Sequence, residues 1–289
     1  MNVKYCVVPL GGCPLNIPLH LLRDRRVLKS VFQDAGFRRW PLALSSSDAL
    51  QLLNFAMGRK QIPAELHPIS YKDPEAFPKP GTAHLFKTAE LILVEMSTPI
   101  ILSIDDIILN HNHFNNYLKA ASTEDPVEIQ RSLMFWRYEG LQMQNETRRV
   151  DLSAQILDYY EKKQPRNEFL IRLVRDTRGK SLNSAEMVRD LNEVRDALNL
   201  PMVIILHHYN YMPGARPVSF PPSFLRDLKA TVQELNVPFF DPAILVKKHG
   251  TDVAMAEDMR HYKKEFYNVV ADEYLAFINE VTGKPDVAA

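Results

Sequence analysis

Cysteine is scarce in this 289-residue chain, which holds only Cys6 and Cys13. Two thiols around one strand end form neither a disulfide framework nor a metal-ligand spacing, and free thiols fit a reducing compartment. Charge of one sign is lacking too: 35 Lys and Arg balance 35 Asp and Glu, so the total gives no reason to expect a polyanionic partner such as nucleic acid. Long apolar runs are absent. The N-terminal stretch is broken by Pro9, Gly11 and Gly12 before a signal-peptide core can form, and no run approaches the roughly 18 residues that span a bilayer. These absences predict a cytoplasmic protein with no membrane or nucleic-acid partner. Internal repeats and low-complexity tracts are also missing. What is present is core-forming material, 46% hydrophobic residues, ample for one large α/β domain or two small ones.

The hydrophobic pattern alternates between two types. Residues 3–10 and 89–96 are continuous apolar runs of the length of buried parallel strands, and the second ends in Ser97-Thr98-Pro99. Ile17 to Ala35 reads as a helix stopped by Gly36, and Trp40 to Leu44 as the second strand. Ser45-Ser46-Ser47-Asp48 supplies N-cap candidates for a helix from Ala49 to Met57. Dense proline from Ile62 to Pro80 predicts an irregular loop. From Asp105 to Lys163 the spacing is helical, Glu168 to Val174 reads as a short strand, and Ser184 to Leu198 as a helix. The strand Pro201 to Leu206 ends in His207-His208. A helix from Phe224 to Leu235, a strand from Val237 to Phe240 and a helix from Lys263 to Val281 close the chain. Strands alternating with helices predict an α/β fold, a doubly wound parallel sheet flanked by helices in three layers, with residues 1–289 as a single domain and 105–163 as a helical insertion.

Two short motifs carry chemistry. Gly11-Gly12-Cys13-Pro14 follows the first strand, and Asp258-Met259-Arg260-His261 precedes the last helix. A strand ending in Gly-Gly presents the next side chain at the carboxyl edge of a sheet, where open α/β folds place their ligands. Glycines let amide N–H groups approach a bound oxyanion, and an Asp three residues before a His can orient the imidazole toward a nucleophile. A cysteine at a strand end is otherwise a small buried residue, and a lone Asp-x-x-His is otherwise a helix start. Together the two motifs resemble the SGNH/GDSL family of hydrolases and acyltransferases, with cysteine where serine is usual.

The resemblance implies the SGNH/flavodoxin-like layering and a triad of Cys13 as nucleophile, His261 as base and Asp258 as its orienting partner. The family's oxyanion donors, a glycine after the second strand and an asparagine after the third, are missing; Ser45 and Ser97 stand at those places, beside Gly12. His207 and His208 end at the same sheet edge, where strand alternation lets one of them line a pocket. A metal site from these, His111, His113 and the Asp105-Asp106 pair lacks any recognised ligand pattern, so no metal is expected. The activity implied is acyl transfer, as esterase or acyltransferase, between a small-molecule acyl donor and a hydroxyl acceptor on a carbohydrate or metabolite, as in polysaccharide biosynthesis. No cofactor is required. Two alternatives stand beside it: a coenzyme-A-dependent O-acetyltransferase without a covalent intermediate, in which His261 deprotonates the acceptor, and a non-catalytic binding protein of the same fold. The basic run Arg172, Arg175, Arg178 and Lys180 is a solvated face or a clamp for a carboxylate, phosphate or coenzyme A. The aromatic insertion, with Phe114, Tyr117, Phe135, Trp136 and Tyr138, is expected to cover the pocket, or else to pack on the sheet or in a homodimer interface.

Overall fold

The computed structural model describes residues 4–34, 41–71, 82–121, 154, 156–162, 167–207, 222–258 and 261–284. These divide into two compact units, one drawn from residues 1–58, 76–98 and 183–289 and the other from 59–75 and 99–182.

The first unit is built on five strands: β1 (Tyr5–Leu10), β2 (Leu28–Ser30), β3 (Leu91–Glu95), β7 (Met202–Ile205) and β8 (Phe239–Phe240). All pair in parallel, in the order β2-β1-β3-β7-β8. With β3 central and helices covering both faces, this is the three-layer α/β fold expected. Every residue of β1 and β3 is buried, as strands covered on both faces must be. Pro9 is tolerated inside β1 because β2 makes its last pair at Val7–Ser30, short of Pro9.

Alternation assigns the two faces. Tyr5, Val7, Leu91, Leu93, Val203 and Ile205 share one core with Leu15, Leu19 and Leu22 of the first helix (Cys13–Asp24) and with Val270, Ala271, Tyr274 and Ile278 of the last (Phe266–Thr282). On the other face the helix Ser46–Ala56 packs on Ser184–Leu198, which packs on Pro222–Leu235. Asp190, buried in the middle one of these helices, accepts a hydrogen bond from Ser46 Oγ at 3.0 Å.

Several expected boundaries are corrected. The helix expected from Ile17 to Ala35 begins at Cys13 and ends at Asp24, because Arg26 adopts a left-handed conformation (φ 60°) and turns the chain into β2. The second strand is therefore Leu28–Ser30, not 40–44; Leu42 makes only an isolated parallel bridge to Gly11. Apolar residues that look helical by spacing here serve the sheet edge. The helix after Ser45 starts earlier than expected, at Ser46.

The second unit holds an antiparallel sheet, β5-β4-β6, made of β4 (Ile100–Ile104), β5 (Ile107–Leu109) and β6 (Arg178–Ser181). Asp105-Asp106 is the turn between β4 and β5, with Asp105 at φ 54°, so the region from Asp105 opens as a hairpin and becomes helical only at His111–Ala121. Glu168–Asp176, read as a strand, is an amphipathic helix capped by Asn167, whose side chain accepts from the Leu170 amide at 3.0 Å. Phe114 is fully buried and the Tyr117 ring meets Phe169 edge-on at 5.6 Å. Phe135, Trp136 and Tyr138 lie outside the described residues. Among the described residues, no helix is long and apolar enough to cross a membrane.

Candidate functional site

Gly12, Cys13, Ser97 and His207 follow the carboxyl ends of β1, β3 and β7, neighbours in the parallel sheet. β1 ends in Gly11-Gly12, and the first helix starts at once with Cys13 as its first residue and Pro14 next, a position where the missing proline N–H costs nothing. Gly12 accepts the first helical bonds from the Leu15 and Asn16 amides, and the Asn16 side chain donates back to the Gly11 carbonyl at 3.1 Å. The half-buried Cys13 thus stands at the positive end of a helix dipole.

Beside this turn lies Glu95, the last residue of β3. Its carboxylate accepts from the Gly12 amide at 2.8 Å and from the Ser97 hydroxyl at 2.9 and 3.1 Å, and His207 Nε2 lies 3.8 Å from it. Glu95 pairs in register with Ile205, two residues before His207, so alternation puts both side chains on the face of the first and last helices. Burial pushes the Glu95 carboxyl up to about 7, against the lowering effect of the Gly12 and Ser97 hydrogen bonds.

The Asp-x-x-His motif occupies a loop closed by an antiparallel bridge between Met255 and Tyr262, with the Ala256 amide donating to the His261 carbonyl at 2.9 Å. Within it Asp258 Oδ2 is 2.6 Å from His261 Nδ1, and Asp258 Oδ1 accepts from the His261 amide at 3.1 Å. Both side chains are 48% exposed. The Nδ1 contact leaves Nε2 as the ring nitrogen that can address a thiol. Tyr267 lies on the last helix, just after the Asp-x-x-His loop. Its phenol is pushed up to about 12 by burial first, then by the charges of Cys13 and Asp258, and a hydrogen bond from the Tyr262 backbone only partly offsets this. It stays protonated at neutral pH and is a donor.

Of the residues the sequence singled out, Gly12, Ser97 and His207 converge on Glu95, and Asp258 pairs with His261. Gly12's amide is directed at a carboxylate. Ser45 is a helix cap: its side chain accepts from the Asp48 amide at 3.2 Å while Asp48 accepts from the Leu44 amide at 3.0 Å. Leu44's carbonyl in turn takes the Ser97 and Thr98 amides, which ties the ends of the two segments together. His208 lies outside the described residues, as do Met259 and Arg260 between the motif's ends. The sequence reading missed Glu95 and Tyr267. Glu95 had a signal, a lone carboxylate ending the apolar run Leu-Ile-Leu-Val; Tyr267 had none beyond lying at the start of an apolar helix.

The basic run is occupied locally. Arg175 pairs with Asp176, Arg172 with Glu65, and Arg178 donates to backbone carbonyls. His111 is buried and its imidazole is pushed down to about 4 by that burial, so it stays neutral. Among the described residues, no three His, Cys, Asp or Glu side chains gather as a metal-binding group.

No curated protein and no solved structure matches this chain. A family model does, and it spans the first strand, the Gly-Gly-Cys turn, the Asp-x-x-His loop and most of the last helix. Matched from residue 5 to residue 277, the chain belongs to the family of the TviD N-terminal domain.

Proposed function

We propose that this chain is an acyl-transfer enzyme that modifies a polysaccharide or its carbohydrate precursor through a thioester on Cys13. The observation that carries the reading is the Asp258–His261 contact at 2.6 Å, which leaves Nε2 of the ring available to a thiol. Membership in the TviD N-terminal domain family supports polysaccharide modification as the setting, and the parallel sheet order is that of a three-layer α/β fold.

In this mechanism His261 Nε2 takes the Cys13 thiol proton, and Asp258 holds the ring tautomer through Nδ1. The thiolate attacks the acyl carbonyl, the donor's leaving group departs with the proton from His261, and a thioester remains. His261 then takes the proton of the acceptor hydroxyl as that oxygen attacks the thioester, and returns it to the Cys13 sulfur as the thiol leaves. Tyr267 is the donor offered to the developing oxyanion, in place of the glycine and asparagine that the SGNH pattern would supply.

The test is incubation with an acyl donor, acetyl-coenzyme A or p-nitrophenyl acetate, followed by peptide mass spectrometry. An acyl adduct on Cys13, lost in Cys13→Ala together with turnover, is expected. A Cys13→Ala variant with undiminished transfer would overturn the covalent route in favour of direct transfer by His261, and no turnover on any ester would favour a binding protein.

A further inference from the structure

The buried end of β3 holds a carboxylate for which the acyl-transfer mechanism has no use. Glu95 is 1% exposed, and a carboxylate so placed is retained only where its surroundings compensate it. Three segments converge on it: the Gly12 amide at 2.8 Å, the Ser97 hydroxyl at 2.9 Å and the His207 ring at 3.8 Å. Both glycines of the turn are shaped to it. A methyl carbon at Gly12 would stand 3.1 Å from Glu95 Oε2 and 2.9 Å from Ser97 Oγ, and one at Gly11 would stand 2.9 Å from Glu95 Cβ. Tyr262 and Tyr274 also feel its charge, and burial, their largest influence, keeps both phenols protonated. Among the described residues, His207 is the group seen beside Glu95 that can carry a positive charge.

We infer that Glu95 is a positioning residue for Cys13: it fixes the Gly11-Gly12-Cys13 turn through the Gly12 amide and, with His207, sets the negative charge lying beside the thiol. The inference rests on Cys13 being the reactive thiol of the site. A carboxyl group and a neutral imidazole this close share one proton, so the pair is neutral while it holds that proton and negative once solvent has taken it. Burial pushes the Glu95 carboxyl up to about 7, so the proton is lost in the neutral range. Held on the amide of the residue just before Cys13, a negative charge acting through an effective dielectric near 20 opposes thiolate formation by at least about tenfold. The pair therefore acts as a brake on the thiol that is released as pH falls.

The test uses the full chain and iodoacetamide, with the alkylation rate at Cys13 resolved from that at Cys6 by peptide mass spectrometry between pH 5.5 and 9. Glu95→Gln keeps an acceptor for the Gly12 amide and cannot ionise. It should match the wild type near pH 5.5, run about tenfold faster above pH 8, and lose the wild-type inflection near neutrality. Ser97→Ala, which keeps the charge, should keep the inflection. If Glu95→Gln does not fold, judged by its thermal transition, His207→Gln decides, since it should move the inflection. A profile for Glu95→Gln that superimposes on the wild type, or an inflection unmoved in His207→Gln, would overturn the inference. Failure of acyl transfer is read separately: a wild-type Cys13 that shows the inflection but takes no acyl group overturns the thioester mechanism and leaves this inference standing.

Discussion

Gly12→Ala tests the site at its tightest point. The residue sits at φ −87°, ψ −165°, a conformation open to any L-residue, so backbone strain contributes nothing and the whole cost comes from what the methyl group meets. It meets Ser97 Oγ at 2.9 Å and Glu95 Oε2 at 3.1 Å. Ser97 is half-buried and can rotate, but Glu95 is buried and held at both oxygens. Overpacking of this kind costs about 1–3 kcal/mol. If the carboxylate retreats, its charge-assisted bond from the Gly12 amide is lost as well, a further contribution of about 1.5–3 kcal/mol. The expected destabilisation is about 1–3 kcal/mol if the serine alone yields and about 2.5–6 kcal/mol if the carboxylate retreats, large against the roughly 5–15 kcal/mol of a typical domain. Urea denaturation at pH 8 measures it. Adding Ser97→Gly, which removes the nearer atom, should restore about 1 kcal/mol. A Gly12→Ala variant within about 0.5 kcal/mol of the wild type would refute the packing of this turn on Glu95.

Asp258→Asn should lower the acyl-transfer rate by about a hundredfold or more, through the wrong imidazole tautomer, while costing under about 1 kcal/mol of stability, because the pair is half-exposed and screened; equal losses of melting temperature and activity would mark Asp258 as a loop cap. Glu95 predicts a pH dependence of stability. Its carboxyl rises from 4.5 to about 7 on folding, so between these values the folded chain holds a proton that the unfolded chain has lost, and stability falls as pH rises through that window by about 3 kcal/mol, then levels off. Glu95→Gln should abolish this slope in urea titrations at pH 4.5 and 7.5, and an unchanged slope would count against it. Asn279→Ala removes the acceptor of the buried Tyr5 hydroxyl at 2.6 Å and of Lys4 Nζ at 2.7 Å. It should cost about 1–3 kcal/mol, less when combined with Tyr5→Phe in a double-mutant cycle on thermal unfolding.

How legible the fold was depended on whether the signal was local. The apolar runs ending at Leu10 and Glu95 and the helix Ser184–Leu198 could be read directly, the last because Met187, Leu191, Val194 and Leu198 recur at helical spacing; the structure adds a capping box between Asn183 and Glu186. The helix Glu168–Asp176 was misread as a strand because its apolar residues at 169, 170, 171, 173 and 174 lie in a short run, where periodicity does not separate the two states. β2 was hidden inside an apparent helix because only Arg26, a residue with no preference for positive φ, marks the turn.

By itself the sequence determined the class of fold, since alternating apolar strands and amphipathic helices can bury their faces only as layered α/β structure. It also determined the local geometry of each motif: a glycine pair must end a strand tightly, and an Asp three residues before a His brings carboxylate and ring within reach of each other. Only the tertiary structure decided what stands beside those motifs. Glu95 is 83 residues from Gly12 in the chain, and His207 comes from a strand further on; parallel pairing of β1, β3 and β7 brings all three to one sheet edge. The charge of a buried carboxylate depends on that company and on the water it has lost, and neither is written in any stretch of residues short enough to read.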